Sequence, residues 1–124
     1  MPIKKRWQKI IEIDSIGAGA TSRLEDCNKV DLSKAEHCAI TVRLKFNPGA
    51  TNGARVHLVS SPDGSIFDTQ DYTYFDIAVS AGNEVQKTVA VTPDVLYLKA
   101  KIENLDSTVS ITDIDAWVII GEEE

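Results

Sequence analysis

The sequence predicts an all-β protein, an antiparallel β-sandwich of jelly-roll or Greek-key type with about seven or eight strands. Three observations carry this. Apolar residues recur with a period of two through most of the 124 residues. Clusters of turn-forming residues such as NPGATNG, SPDG and SAGNE separate the alternating runs at short intervals. Only one short segment has good local helix chemistry, and it is one turn at most.

The elements follow in order. WQKIIEI (7–13) is rich in β-branched residues and reads as a strand. TSRLEDC (21–27) is a weaker segment expected to pair at an edge, and DLSKAEH (31–37), with Asp31 or Ser33 as a cap, is expected to make the single helical turn. HCAITVRLKF (37–46) alternates cleanly, with Cys38, Ile40, Val42, Leu44 and Phe46 on one face and His37, Ala39, Thr41, Arg43 and Lys45 on the other. ARVHLVS (54–60) turns Val56 and Leu58 inward and Arg55 and His57 outward. TYFDIAV (73–79) places Phe75, Ile77 and Val79 together, and SAGNE leads into VQKTVAV (85–91). VLYLKAKIEN (95–104) sets Leu96, Leu98, Ala100 and Ile102 against Tyr97, Lys99, Lys101 and Glu103. LDS is expected to close a last hairpin into TVSITDIDAWVII (108–120), where the apolar phase slips between Ile111 and Ile114, as a β-bulge requires.

One domain is expected, divided into a basic N-terminal arm or first strand and connector (1–20), the sandwich (21–120) and an acidic tail (121–124). Net charge is −6, with Lys4, Lys5, Arg6 and Lys9 at the start and seven acids but no bases after Lys101. The two ends can attract each other within or between subunits. An acidic chain lacks the basic face that nucleic acid demands, so no nucleic-acid partner is expected. Gln8, Lys9, Glu12 and Asp14 interrupt any signal-peptide core, and no apolar run approaches a membrane span, so neither export by that route nor a membrane partner is expected. Cys27 and Cys38 read first as reduced thiols, with a single bridge between them as the alternative.

Chemistry-bearing motifs are sparse. Gly17 and Gly19 suggest a dinucleotide loop, but Ser22 holds the third glycine position and no amphipathic helix follows, so no cofactor is expected. His37 and His57 face outward with no elbow, paired glutamates or HExxH motif to orient them, and no catalytic residues are assigned. Asp63, Asp68 and Asp71 make VSSPDGSIFDTQDY acidic, yet they are weak calcium candidates because nothing before Gly64 matches the EF-hand pattern and no glutamate closes the loop. Ser61-Pro62-Asp63-Gly64 instead has the chemistry of a type I turn, with Gly64 in the left-handed conformation. Outward aromatics carry more: Tyr72, Tyr74, Tyr97 and Trp117, with Trp7 in the basic arm, suit stacking on sugars or anchoring at a protein interface.

The stretches KKRWQKI, HLVSSPDGSIFDT and YLKAKIENLDSTVSITDIDAWVII together resemble small single-domain β-sandwich proteins encoded among the structural genes of tailed bacteriophages and prophages. The resemblance is one of pattern and covers most of the chain; the two cysteines and the acidic tail depart from it. It implies a non-enzymatic virion component, a head decoration or tail-associated protein, assembling in many copies with itself or with other virion proteins. Lys4, Lys5, Arg6 and Trp7 are then the expected docking residues. The alternative is a carbohydrate-binding module with surface glycans as partners, stacked on Tyr72, Tyr74, Tyr97 or Trp117.

Overall fold

The computed structural model describes residues 2–123, so Glu124 of the acidic tail lies outside the described residues. Eight strands form: β1 (Ile3–Ile16), β2 (Val30–Asp31), β3 (Ala35–Phe46), β4 (Ala54–Ser61), β5 (Thr73–Ile77), β6 (Glu84–Ala90), β7 (Tyr97–Asn104) and β8 (Ile111–Glu123). They build two four-stranded antiparallel sheets, ordered β1-β8-β3-β6 and β2-β7-β4-β5. This is the interleaved order of a jelly roll, in which most successive strands alternate between sheets.

The period of two becomes the core directly. Ile40, Val42, Leu44 and Phe46 of β3 and Ile114, Ala116, Val118 and Ile120 of β8 face Val56 and Leu58 of β4 and Leu98, Ala100 and Ile102 of β7, all fully buried. Three bulges interrupt these pairings, one of them at Glu36 of β3, between Ala35 and His37, and the other two keep the inward phase. Asp113, at φ 52°, is the extra residue where β8 passes β3, and it moves the inward set from Ile111 to Ile114. Aspartate is among the few side chains that tolerate this left-handed region. The second bulge, between Lys9 and Ile11 of β1, lets the adjacent Ile10 and Ile11 both be buried.

Several expectations change. The LDS segment carries the chain from one sheet to the other, because β7 and β8 are not neighbours; NPGATNG and SAGNE also cross between sheets. Only β4 and β5 are consecutive neighbours, joined by residues 62–72. TSRLEDC forms no strand: Thr21 and Cys27 make isolated bridges to Glu103 and Ile11 around a single 3-10 turn, Leu24–Asp26. DLSKAEH forms no helix, since the Asp31 carboxylate accepts the Ser33 amide at 2.9 Å and turns the chain into β3. Val79 and Leu96 lie beyond the ends of β5 and β7 and are exposed, not inward.

One end of the sandwich is held by two polar residues buried to 1% exposure or less, Asn104 and Asp106. The Asn104 amide donates to the carbonyls of Val109 (2.8 Å), Gly17 (3.2 Å) and Ile16 (3.4 Å), and its oxygen accepts the Asp106 amide at 3.0 Å. Asp106 accepts the amides of Thr51, Asn52, Thr108 and Val109. Those donors hold its carboxyl well below the usual carboxylate range, the Thr51 amide most strongly. Three loops that leave different strands are thereby tied to one another. Nearby, Gly53 has no room for a side chain, because a Cβ there would collide with the Ile77 carbonyl.

Candidate functional site

The basic segment is a strand edge. Lys4, Lys5 and Arg6 lie in β1, opposite Glu122, Gly121 and Ile120 of β8, so the basic start and the acidic end of the chain meet within one molecule. Arg6 is ion-paired with Glu122. Strand alternation splits the group: Lys4 and Arg6 share one side with Glu122, near Lys34, while Lys5 and Trp7 share the outer face of the sheet.

On that outer face a row of apolar side chains crosses all four strands. Trp7 pairs with Ile119, Ile119 with Ala39 and Ala39 with Ala90, and directly paired residues project to the same side. Beside the row lies a groove of about 600 Å³, lined mainly by Ile3, Cys38, Ala39, Ala90, Val91, Pro93 and Ile119, with Lys5 and Glu36 also at its wall. Gly121 keeps it open, since a Cβ there would meet the Ile3 side chain at 3.0 Å and His37 at 3.3 Å. Trp7 is 69% exposed.

A charged band bounds the row on the side of Trp117. The Trp117 ring has Arg43 at 4.9 Å and Lys9 at 5.7 Å, and both cations are bound by Asp115, at 3.3 and 3.0 Å. The hydrogen bond that Lys9 donates to Asp115 is the main cause that raises Lys9 above the ordinary lysine value.

The other aromatics are also engaged. Tyr97 has Lys29 at 5.2 Å, and Tyr74, though 54% exposed, has Arg55 at 4.7 Å, held in turn by Asp76. Tyr72 is not an outward partner of Tyr74: its ring packs on the core and its hydroxyl bonds Thr92. Of the five aromatic residues read as binding candidates, Trp7 is the one whose ring has neither a cation over it nor a hydrogen-bonded anchor among the described residues.

The aspartates of the 59–72 stretch go to separate tasks. Asp63 accepts the amides of Ser65 and Ile66, which lower its pKa, and Gly64 sits at φ 79° with its amide on the Ser61 hydroxyl at 2.9 Å. The turn is thus closed by a serine side chain rather than by a backbone carbonyl. Asp68 takes the Ser60 hydroxyl, and Asp71 takes His57. The loop then lies over the outer face of its sheet, where Lys99 covers Phe67 and the neighbouring Val59 is fully buried.

His57 stands between Asp71 at 2.8 Å and Glu103 at 2.9 Å. With both ring nitrogens turned to carboxylates, it clasps the loop to β7 and presents neither nitrogen to a substrate. Cys27 and Cys38 are separate buried thiols, each pushed up to about 11 by burial. Sequence reasoning missed Ile119, Ala39 and Ala90 as a surface; the signal was an apolar Ile119 in the outward phase of Trp117.

No family model and no curated protein matches the chain. Solved structures do. The PBSX exported protein XepA aligns with a TM-score of 0.58 at 11% identity, over 96% of this chain and 38% of that one. A Bacillus endospore appendage protein, from disulfide-linked pili, aligns at 0.50 and 12% identity, over 98% and 89%. The PRD1 vertex protein P5 aligns at 0.52 and 12% identity, over 98% and 96%. This chain therefore spans about two fifths of XepA and nearly the whole of the other two; at such identities the likeness is one of fold.

Proposed function

We propose that this chain is a non-enzymatic structural component of a particle, a virion decoration or tail accessory protein, that acts through repeated protein contacts. The observation that supports it best is the uncovered apolar row Trp7–Ile119–Ala39–Ala90 on a jelly-roll sheet. A soluble domain gains nothing by holding a tryptophan in water. Covering the ~150 Å² that such a ring exposes is worth about 4 kcal/mol at ~25 cal/mol per Å². Contacts of that size are weak singly and strong when many copies are arrayed.

The neighbours give this reading its setting, since their names describe an exported protein, a vertex protein and appendage pili. The basic residues of β1 also guard the edge of the sheet. Lysines on an exposed strand edge discourage pairing with a foreign strand, so Lys4, Lys5, Arg6 and Lys9 keep the contact face-on. The test is density-gradient fractionation of particles released by cells that make the chain. The chain is expected to band with the particles, and recovery only in the soluble fractions refutes the proposal.

A further inference from the structure

The apolar face has a second property: it is complementary to itself. Across the row the residues run from large to small, with Trp7 on β1, Ile119 on β8, then Ala39 on β3 and Ala90 on β6. One level along the strands, Gly121 of β8 lies between Lys5 on β1 and His37 on β3, and Glu36, the extra residue of the bulge beside His37, lines the same wall of the groove. A two-fold axis running along β8 keeps the level of each residue but exchanges the β1 side for the β3 side. It lays the indole of each copy over the small side chains of the other and brings each Lys5 to the His37–Glu36 bulge of the other copy, where Glu36 supplies the opposite charge.

We propose that two copies of this chain associate face to face through the β1-β8-β3-β6 sheet, about a two-fold axis along β8, with Trp7 of each seated in the other's groove beside Ala39 and Ala90. This deepens the reading above by naming a second copy as the neighbour on this face. Such isologous contacts are the commonest way that soluble chains pair. Facing sheets keep their strands within ~30° of each other, so the row of one copy lies along the row of the other. The Lys9–Asp115–Arg43 band forms one polar rim, already neutralised inside each copy. At the other rim the Lys5–Glu36 contacts fix the register, because an inverted arrangement would set like charges together. A buried tryptophan in a pocket of small residues has the character of an interface hot spot.

Sedimentation velocity over a concentration series is the test, run on the wild type, Trp7→Ala, Lys5→Glu, Glu36→Lys and the double Lys5→Glu/Glu36→Lys. All three positions are exposed, so each monomer is expected to fold. The wild type should dimerise, and Trp7→Ala should weaken the dimer at least ~30-fold, the loss expected of one hot-spot residue. Each single charge reversal should weaken it ~10-fold, and the double variant should recover most of that loss. A wild type that stays monomeric up to about 1 mM overturns the pairing. If such a monomer still bands with particles and Trp7→Ala does not, another particle protein covers this face, and the assembly reading survives without the dimer. A double variant no better than the single ones overturns the β8 axis.

Discussion

Replacing Asn104 by alanine removes a side chain that is fully buried and bonded in four directions. Its two best bonds are to the Val109 carbonyl at 2.8 Å and from the Asp106 amide at 3.0 Å; those to Gly17 and Ile16 are longer. A buried polar group left unpaired costs about 1–3 kcal/mol, so losing the two best bonds predicts about 2–6 kcal/mol. We take ~3 kcal/mol, because water entering the vacated space restores part of the loss. Against a typical stability of about 5–15 kcal/mol that is a large fraction, and it corresponds to a melting point lower by about 10 °C. Urea unfolding followed by tryptophan fluorescence measures it, with an unchanged slope showing that the two-state comparison is valid. Asn104→Asp has almost the same shape but turns acceptors toward the Val109 and Gly17 carbonyls. It should destabilise at least as much, which separates lost hydrogen bonding from a cavity effect. A loss under about 0.5 kcal/mol for Asn104→Ala would refute the view that this end of the sandwich is tied through Asn104.

Asp106 makes stability fall in acid. Its folded pKa is depressed, so its contribution is complete above the ordinary aspartate value of about 3.9 and is lost as pH falls below it. Melting points taken from pH 7 down to pH 2 should show this decline, and Asp106→Asn, already destabilised at pH 7, should show less of it. Both thiols are buried with pKa pushed up to about 11, so a thiol reagent at pH 8 should label Cys27 and Cys38 slowly in the native protein and quickly in urea. Labelling of the native protein at the rate of a free thiol would contradict the burial. Because Asp63, Asp68 and Asp71 serve three different partners, the melting point should not respond to calcium or to a chelator. A rise with calcium that Asp63→Ala abolishes would restore the acidic loop as a metal site.

The strands were legible because half-burial writes itself as alternation. Cys38 to Phe46 and Leu98 to Ile102 are buried in the phase their sequence states, and the slip between Ile111 and Ile114 is the Asp113 bulge. Strand ends were not legible, since alternation continues in the letters after the pairing stops; Val79 and Leu96 were placed inward for that reason. Pairing partners were hidden too. The residues that reverse a chain within one sheet also carry it across to the other, so LDS looked like a hairpin turn and is a crossing. Asn104 left a usable signal: it is polar in the inward phase of Leu98, Ala100 and Ile102. Trp7 left another, for KKRWQKI alternates like the strand it is, and its tryptophan falls in the outward phase. What no single sequence states is that this phase lines up with Ile119, Ala39 and Ala90, because that depends on the register of three pairings.

On the function proposed, the Trp7 face is where this protein meets its neighbours. The most direct test of this role is to produce the wild type and Trp7→Ala side by side and fractionate the released particles on a density gradient. The melting point of each purified chain is measured alongside as a dilute monomer. Wild-type chain is expected in the particle band and Trp7→Ala in the soluble fractions, with melting points within about 3 °C of each other, as the ~0.5 kcal/mol typical of surface changes allows. A Trp7→Ala chain that folds normally and stays in the particle band would contradict this role.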